Sequence, residues 1–209
     1  MAGMEEELRD RWAVDAGRGR AAATTLDSLL GRYREPHRHY HGVAHILRVL
    51  RTMDEVLAVT AVADPAAVRL AGWYHDAIYD PRAESGRNEE ASAALAERDL
   101  VVLDQPAERV SAVARLVVGT ATHEPVCPDE AAVCDADLAV LAADPATYTA
   151  YAIGVRAEYA HIDEAGWRTG RAAVLRAFLD RPVLFHTVAM AGRDAAARAN
   201  LTAELASLA

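Results

Sequence analysis

Trp73-Tyr74-His75-Asp76-Ala77-Ile78-Tyr79-Asp80 sets a histidine and an aspartate side by side in an otherwise apolar run. A carboxylate buried there without a partner loses much of its solvation energy, so it protonates, pairs or coordinates a metal. A neutral imidazole nitrogen beside a carboxylate oxygen is a donor set for a divalent cation. The plainer reading is a histidine at a helix end with an exposed aspartate, and only the rest of the chain separates the two. Just upstream, Asp64-Pro65 supplies a helix start, with Asp64 as N-cap and Pro65 at the first helical position. The helix that opens there is expected to end near Tyr79 to Pro81.

Outward from this stretch the pattern stays helical. Alanine is the commonest residue, leucine, arginine and glutamate are frequent, and no long Val/Ile/Thr alternation appears. Helices are expected over about Met4 to Asp15, Arg20 to Arg34 (stopped by Pro36) and His41 to Val59, where Val43, Ile46, Leu47, Leu50 and Met53 make an inner stripe. A helix capped by Asn88 follows, with Glu89 and Glu90 at its positive end, and another runs from about Pro106 to Ala121. Pro125 and Pro128 predict an irregular link, then a short helix from Asp135 to Ala143. Helices from Pro145 to Ile162, Glu164 to Asp180 and Asp194 to Leu208 close the chain, with a short apolar segment over Val183 to Met190. With 209 residues and no linker or repeat, the expectation is one all-α domain spanning 1–209.

The chain carries 31 Asp and Glu against 22 Lys and Arg, a net charge of -9. That gives no general attraction to a nucleic-acid backbone, so a large nucleic acid is not an expected partner, although local basic residues can still hold a small phosphorylated one. The N-terminus has no basic segment followed by an apolar run, and no uncharged stretch is long enough to span a membrane. A cytoplasmic location is the expectation. Cys127 and Cys134 match neither a redox nor a zinc spacing and are expected to be reduced structural thiols.

Two further places carry residue types suited to a metal site. His41 and His45 stand four apart, which on one helix is about 40° of rotation, hence a shared face. In Cys134-Asp135-Ala136-Asp137-Leu138, two aspartates open the expected helix. Asp135 is explicable as its cap; Asp137, directly before the buried stripe, is not.

His45, then His75-Asp76, then Asp137, each expected on a different helix of an all-α chain, resembles the H…HD…D signature of the HD superfamily of metal-dependent phosphohydrolases. The Tyr40-His41-x-x-x-His45 start resembles the cyclic-nucleotide phosphodiesterase branch of that superfamily. Arg38-x-Tyr40-His41, His75-Asp76-x-x-Tyr79-Asp80-Pro81, Asn88-Glu89, Thr122-His123 and Asp135-Ala136-Asp137-Leu138 are more closely similar to a bacterial group of predicted metal-dependent HD phosphohydrolases. Gly42 departs from the phosphodiesterase-like pattern, which has Asn there. The resemblance implies an HD-type helical bundle with His45, His75, Asp76 and Asp137 as ligands to a divalent ion (Mn, Mg, Zn, Fe, Ni or Co). It also implies His41 as proton donor to the leaving group.

Such an ion acts as a Lewis acid on a phosphate oxygen and lowers the pKa of bound water. Arg38 is the candidate for holding phosphoryl oxygens, and Glu89 or Glu90 for orienting the attacking water. His123 is a candidate ligand to a second ion or a phosphate-binding residue. The expected activity is hydrolysis of a small phosphate ester, a nucleotide or related metabolite. The alternative is a protein that binds a nucleotide through the metal without turnover, and iron-dependent oxygenation is a third reading. Arg156, Glu158, Tyr159 and His161 cannot all face one way from a single helix and are expected to be structural.

Overall fold

The computed structural model describes residues 2–208, so positions 1 and 209 of the expected domain lie outside the described residues. It is all-α, with no strand among the described residues. The helices are α1 (Ala2–Asp15), α2 (Arg20–Arg32), α3 (Val43–Leu57), α4 (Pro65–Tyr74), α5 (Arg87–Val102), α6 (Ala107–Gly119), α7 (Pro128–Leu138), α8 (Pro145–Glu158), α9 (Glu164–Leu179) and α10 (Asp194–Ser207). Among the described residues no single helix is long and apolar enough to cross a membrane.

The helix of the His-Asp stretch sits at the centre. It packs against α3, α5, α6 and α7, and Leu70, Ala71, Trp73 and Tyr74 are fully buried. Trp12 of α1 meets Trp73 edge to face at 5.0 Å, closing the N-terminal side. Gly72 makes room for Met53 of α3, whose Sδ would stand 2.6 Å from an added Cβ and would have to move. Asp64 caps α4 as expected, its Oδ1 accepting from the Ala66 and Ala67 amides at 3.0 and 3.1 Å.

Four of the differences from the sequence expectation bear on the site. The central helix stops at Tyr74, short of Tyr79, because tertiary partners take the groups it would need. Arg38 binds the carbonyls of Asp76 and Ala77, while Ser92 Oγ accepts from the Ile78 amide and donates to the Ile78 carbonyl. Helix α3 starts at Val43, so His41 lies before the helix that carries His45 and does not share its face. Gly86 precedes α5 in a left-handed conformation (φ 83°), where a side chain would be strained. Asn88 accordingly is no cap; its amide bridges the N–H and carbonyl of Asp80.

The fourth difference moves the two aspartates. Pro128 opens α7 at the first helical position, with Asp129 and Glu130 in the first turn, so Asp135 and Asp137 fall near its C-terminal end. Asp135 therefore does not cap α7. Its fully buried carboxylate accepts the backbone amides of His186 (2.9 and 3.0 Å) and Thr187 (2.7 Å), tying down the apolar segment that carries Leu184 and Phe185. Asp135→Ala is expected to cost about 2–4 kcal/mol in a urea titration, since it orphans two amides that bond to a charged group. Metal content should be unchanged; loss of metal at wild-type stability would contradict this assignment.

Candidate metal centre

Helix α3 brings in His45, the turn after α4 brings in His75 and Asp76, and the end of α7 brings in Asp137. These residues span 92 positions (137 − 45), yet one ligand atom from each lies within 4.8 Å of all the others. His45 Nε2 faces His75 Nε2 at 3.0 Å. Asp76 Oδ2 is 3.2 and 3.1 Å from the two nitrogens, and Asp137 Oδ1 is 3.3 and 3.5 Å from them. Neighbouring ligands around an ion at about 2.1 Å are about 3.0 Å (octahedral) to 3.4 Å (tetrahedral) apart, and these spacings match such edges.

The chemistry of the donors fits as well. His75 Nδ1 donates to the Gly72 carbonyl at 2.9 Å, which turns Nε2 toward the cluster and leaves it as the nitrogen that can coordinate once its proton is displaced. Both imidazoles are only 1% exposed. Burial by itself would push the His75 pKa down, yet the charges of Asp76 and Asp137 overcome it and hold it well above the usual value. Burial likewise works to raise the pKa of each aspartate, and His75 with its neighbours holds both well below the usual carboxylate range. Positive charge is thus favoured at this point, whether as a proton or as a metal ion.

His123 belongs to the setting of the cluster. Its Nε2 lies 2.8 Å from Asp137 Oδ2, the oxygen turned away from the two ligand imidazoles. Its backbone adopts φ 50°, and Arg181 holds the loop by donating to the carbonyls of His123 and Thr122 at 2.8 Å each. His123 therefore orients the carboxylate of one candidate ligand.

His41 stands beside the cluster, its ring 5.6 Å from that of His45 and 4.4 Å from that of Tyr79. Its Nδ1 is 2.6 Å from Glu158 Oε2. Burial lowers the His41 pKa, but Asp76, Glu158 and Asp137 outweigh it and the net shift is upward. Glu158 is the residue whose role the sequence reading missed. Its Oε1 accepts the amides of His39, Tyr40 and His41 at 2.8, 2.7 and 2.9 Å, and its Oε2 also accepts the Tyr79 hydroxyl at 2.9 Å. Burial opposes its ionisation, and His41 with these amides brings its pKa down to about 2. The one signal in sequence is a carboxylate in the last turn of a helix, where the helix dipole disfavours it.

Arg38 has a different occupation from the one expected of it. Its side chain is fully buried, with Nε on Glu35 (3.0 Å), one terminal nitrogen on the carbonyls of His41 and Asp76 (3.0 and 2.7 Å) and the other on Ala77 (3.1 Å). With its fork so engaged, it clamps the turns that carry His41 and Asp76 and does not present itself to a phosphoryl group. Three arginines line the cleft of about 220 Å³ that reaches His45 and Asp137: Arg51 and Arg193 are paired with Glu7 and Glu55, and Arg48 lies over the Tyr40 ring, 5.4 Å from its centroid. Glu89 is half-buried in the first turn of α5, and no hydrogen bond or ion pair to the described residues engages it. Glu90 is exposed and paired with Arg87.

No family model, curated protein or solved structure matches the chain.

Proposed function

We propose that the protein is an HD-type metal-dependent phosphohydrolase acting on a small phosphate ester, a nucleotide or a related metabolite. The observation that carries this reading is the convergence of His45, His75, Asp76 and Asp137 on one point, with His41 beside them but outside the ligand set. Those four residues would hold a divalent ion, which supplies Lewis acidity toward a phosphoryl oxygen and lowers the pKa of water.

The remaining roles fall to the chain's own groups. Glu158 fixes the His41 ring through Nδ1 and favours its cationic form, leaving the Nε2 proton for the leaving oxygen. Tyr79 packs on that ring and bonds to the same carboxylate, limiting its rotation. Arg48 supplies positive charge to phosphoryl oxygens from the cleft wall. Glu89, whose carboxylate takes no hydrogen bond or ion pair from the described residues, is the candidate for orienting water.

The test is phosphate release from nucleotides, cyclic nucleotides and sugar phosphates after reconstitution with each divalent metal. Release that stops on chelation is expected for at least one class. Tight nucleotide binding with no release would replace this reading by a metal-dependent binding protein, and oxygen consumption by the iron form would replace it by an oxygenase.

A further inference from the structure

A recess of about 530 Å³ lies between the end of α2, the Tyr79-Asp80-Pro81-Arg82 turn and the end of α8. Tyr79 and Glu158, which hold His41, also form part of its wall, yet none of the four candidate metal ligands lines it. Arg32 and Arg82, 50 positions apart (82 − 32), both border it. Neither guanidinium has a hydrogen bond or ion pair to the described residues; outside α2 the bonds of these two residues are of the backbone, the Arg82 amide to Asp80 Oδ1 and the Arg32 carbonyl from the Glu35 amide. His37, His39 and His161 add imidazoles, and the His39 ring is likewise without a polar partner.

The acidic residues on the wall are largely answered already. Glu35 is paired with Arg38 at 3.0 Å and Glu158 with His41 at 2.6 Å. That leaves two permanent positive charges facing one uncompensated carboxylate, Asp80, on a chain whose net charge is -9. A solitary surface arginine is ordinarily just solvated. Two unpaired guanidiniums from distant stretches, converging with imidazole donors and an aromatic wall on one concavity, match the forked geometry and charge of phosphate groups. The volume falls within the range of small-molecule sites, about 300–1,000 Å³, and exceeds what one phosphate needs.

We propose that this recess binds a multiply charged phosphate anion, a diphosphate or triphosphate group, next to the metal centre but separate from it. The anion comes either from the distal phosphates of the substrate or from a separate effector; only the first source rests on the phosphohydrolase reading.

Inorganic pyrophosphate titrated calorimetrically into the metal-loaded protein and into Asp137→Ala tests the site. Binding is expected in both, within about threefold, and about tenfold or more weaker in Arg32→Gln/Arg82→Gln, which removes two charge-assisted contacts. A charge-matched control, Arg115→Gln/Arg176→Gln, should bind as the wild type does. Unchanged binding by Arg32→Gln/Arg82→Gln, equal weakening in the control, or loss of binding in Asp137→Ala would each overturn the proposal. The source is read kinetically. A rise in KM confined to a nucleoside triphosphate, relative to the monophosphate, assigns the recess to the substrate, whereas non-competitive modulation of monophosphate turnover by pyrophosphate assigns it to an effector. Pyrophosphate binding with neither consequence means an adventitious ion only and overturns the functional assignment. If no ester is hydrolysed, the phosphohydrolase reading fails, and modulation of nucleotide binding by pyrophosphate then decides the recess.

Discussion

Asp137→Ala is expected to strip the metal from the protein and abolish metal-dependent turnover. Asp137 is the one candidate ligand from α7, and its two oxygens have separate contacts. Oδ1 faces His45 and His75 at 3.3 and 3.5 Å, while Oδ2 meets His123 at 2.8 Å. Losing a partner that merely orients a ligand costs about 10–100-fold in metal affinity. Removing the ligand together with its orienting contact should cost more than about 100-fold. A graded series follows, with Asp135→Ala retaining metal, His123→Ala weakened within that 10–100-fold range and Asp137→Ala falling below it. Elemental analysis after dialysis gives the stoichiometry. Thermal melts give an independent reading, because an ion that binds only the native state raises the midpoint, and that increment should vanish in Asp137→Ala. Full metal content in Asp137→Ala would remove Asp137 from the ligand set.

How far the site was legible in sequence depended on whether the deciding interaction was local. The cap at Asp64-Pro65 and the apolar stripe of α3 need only near neighbours, and both stand where the sequence places them. The end of α4 does not, because Arg38 and Ser92 take the main-chain groups that would continue it, from 38 and 14 positions away. That early end puts His75 and Asp76 in a turn, from which both side chains reach one point. The two aspartates were told apart for a reason the structure replaces. Asp135 is engaged by amides 51 and 52 positions on, and does not cap its own helix. Glu158 was invisible for the same cause, as the amides and imidazole that depend on it lie 117 to 119 positions earlier. Arg38 fails as a phosphate contact because burial has already satisfied its fork; no property of the residue type reveals that.

His41→Ala is expected to separate proton donation from metal binding. The ring lies outside the four-ligand cluster and is oriented through Nδ1 by Glu158, so the variant should keep its metal. A proton donor matters most when the leaving oxygen is strongly basic. Turnover of an alkyl phosphate ester should therefore fall by about 10²-fold or more, and that of a nitrophenyl ester, whose leaving group departs unprotonated, far less. Glu158→Gln supplies the companion measurement in the pH profile. The donor must be cationic, and the folded protein holds the His41 pKa above its ordinary value, so activity is retained up to that raised pKa and lost as pH climbs through it. A bound divalent ion offsets the negative charge of Asp76 and Asp137, which leaves Glu158 as the nearest carboxylate sustaining the upward shift. Neutralising it should move the alkaline limb to lower pH while the nitrophenyl ester, indifferent to the donor, keeps its profile. Equal losses on both esters in His41→Ala with metal still bound would make His41 a positioning residue, and loss of metal would make it a ligand.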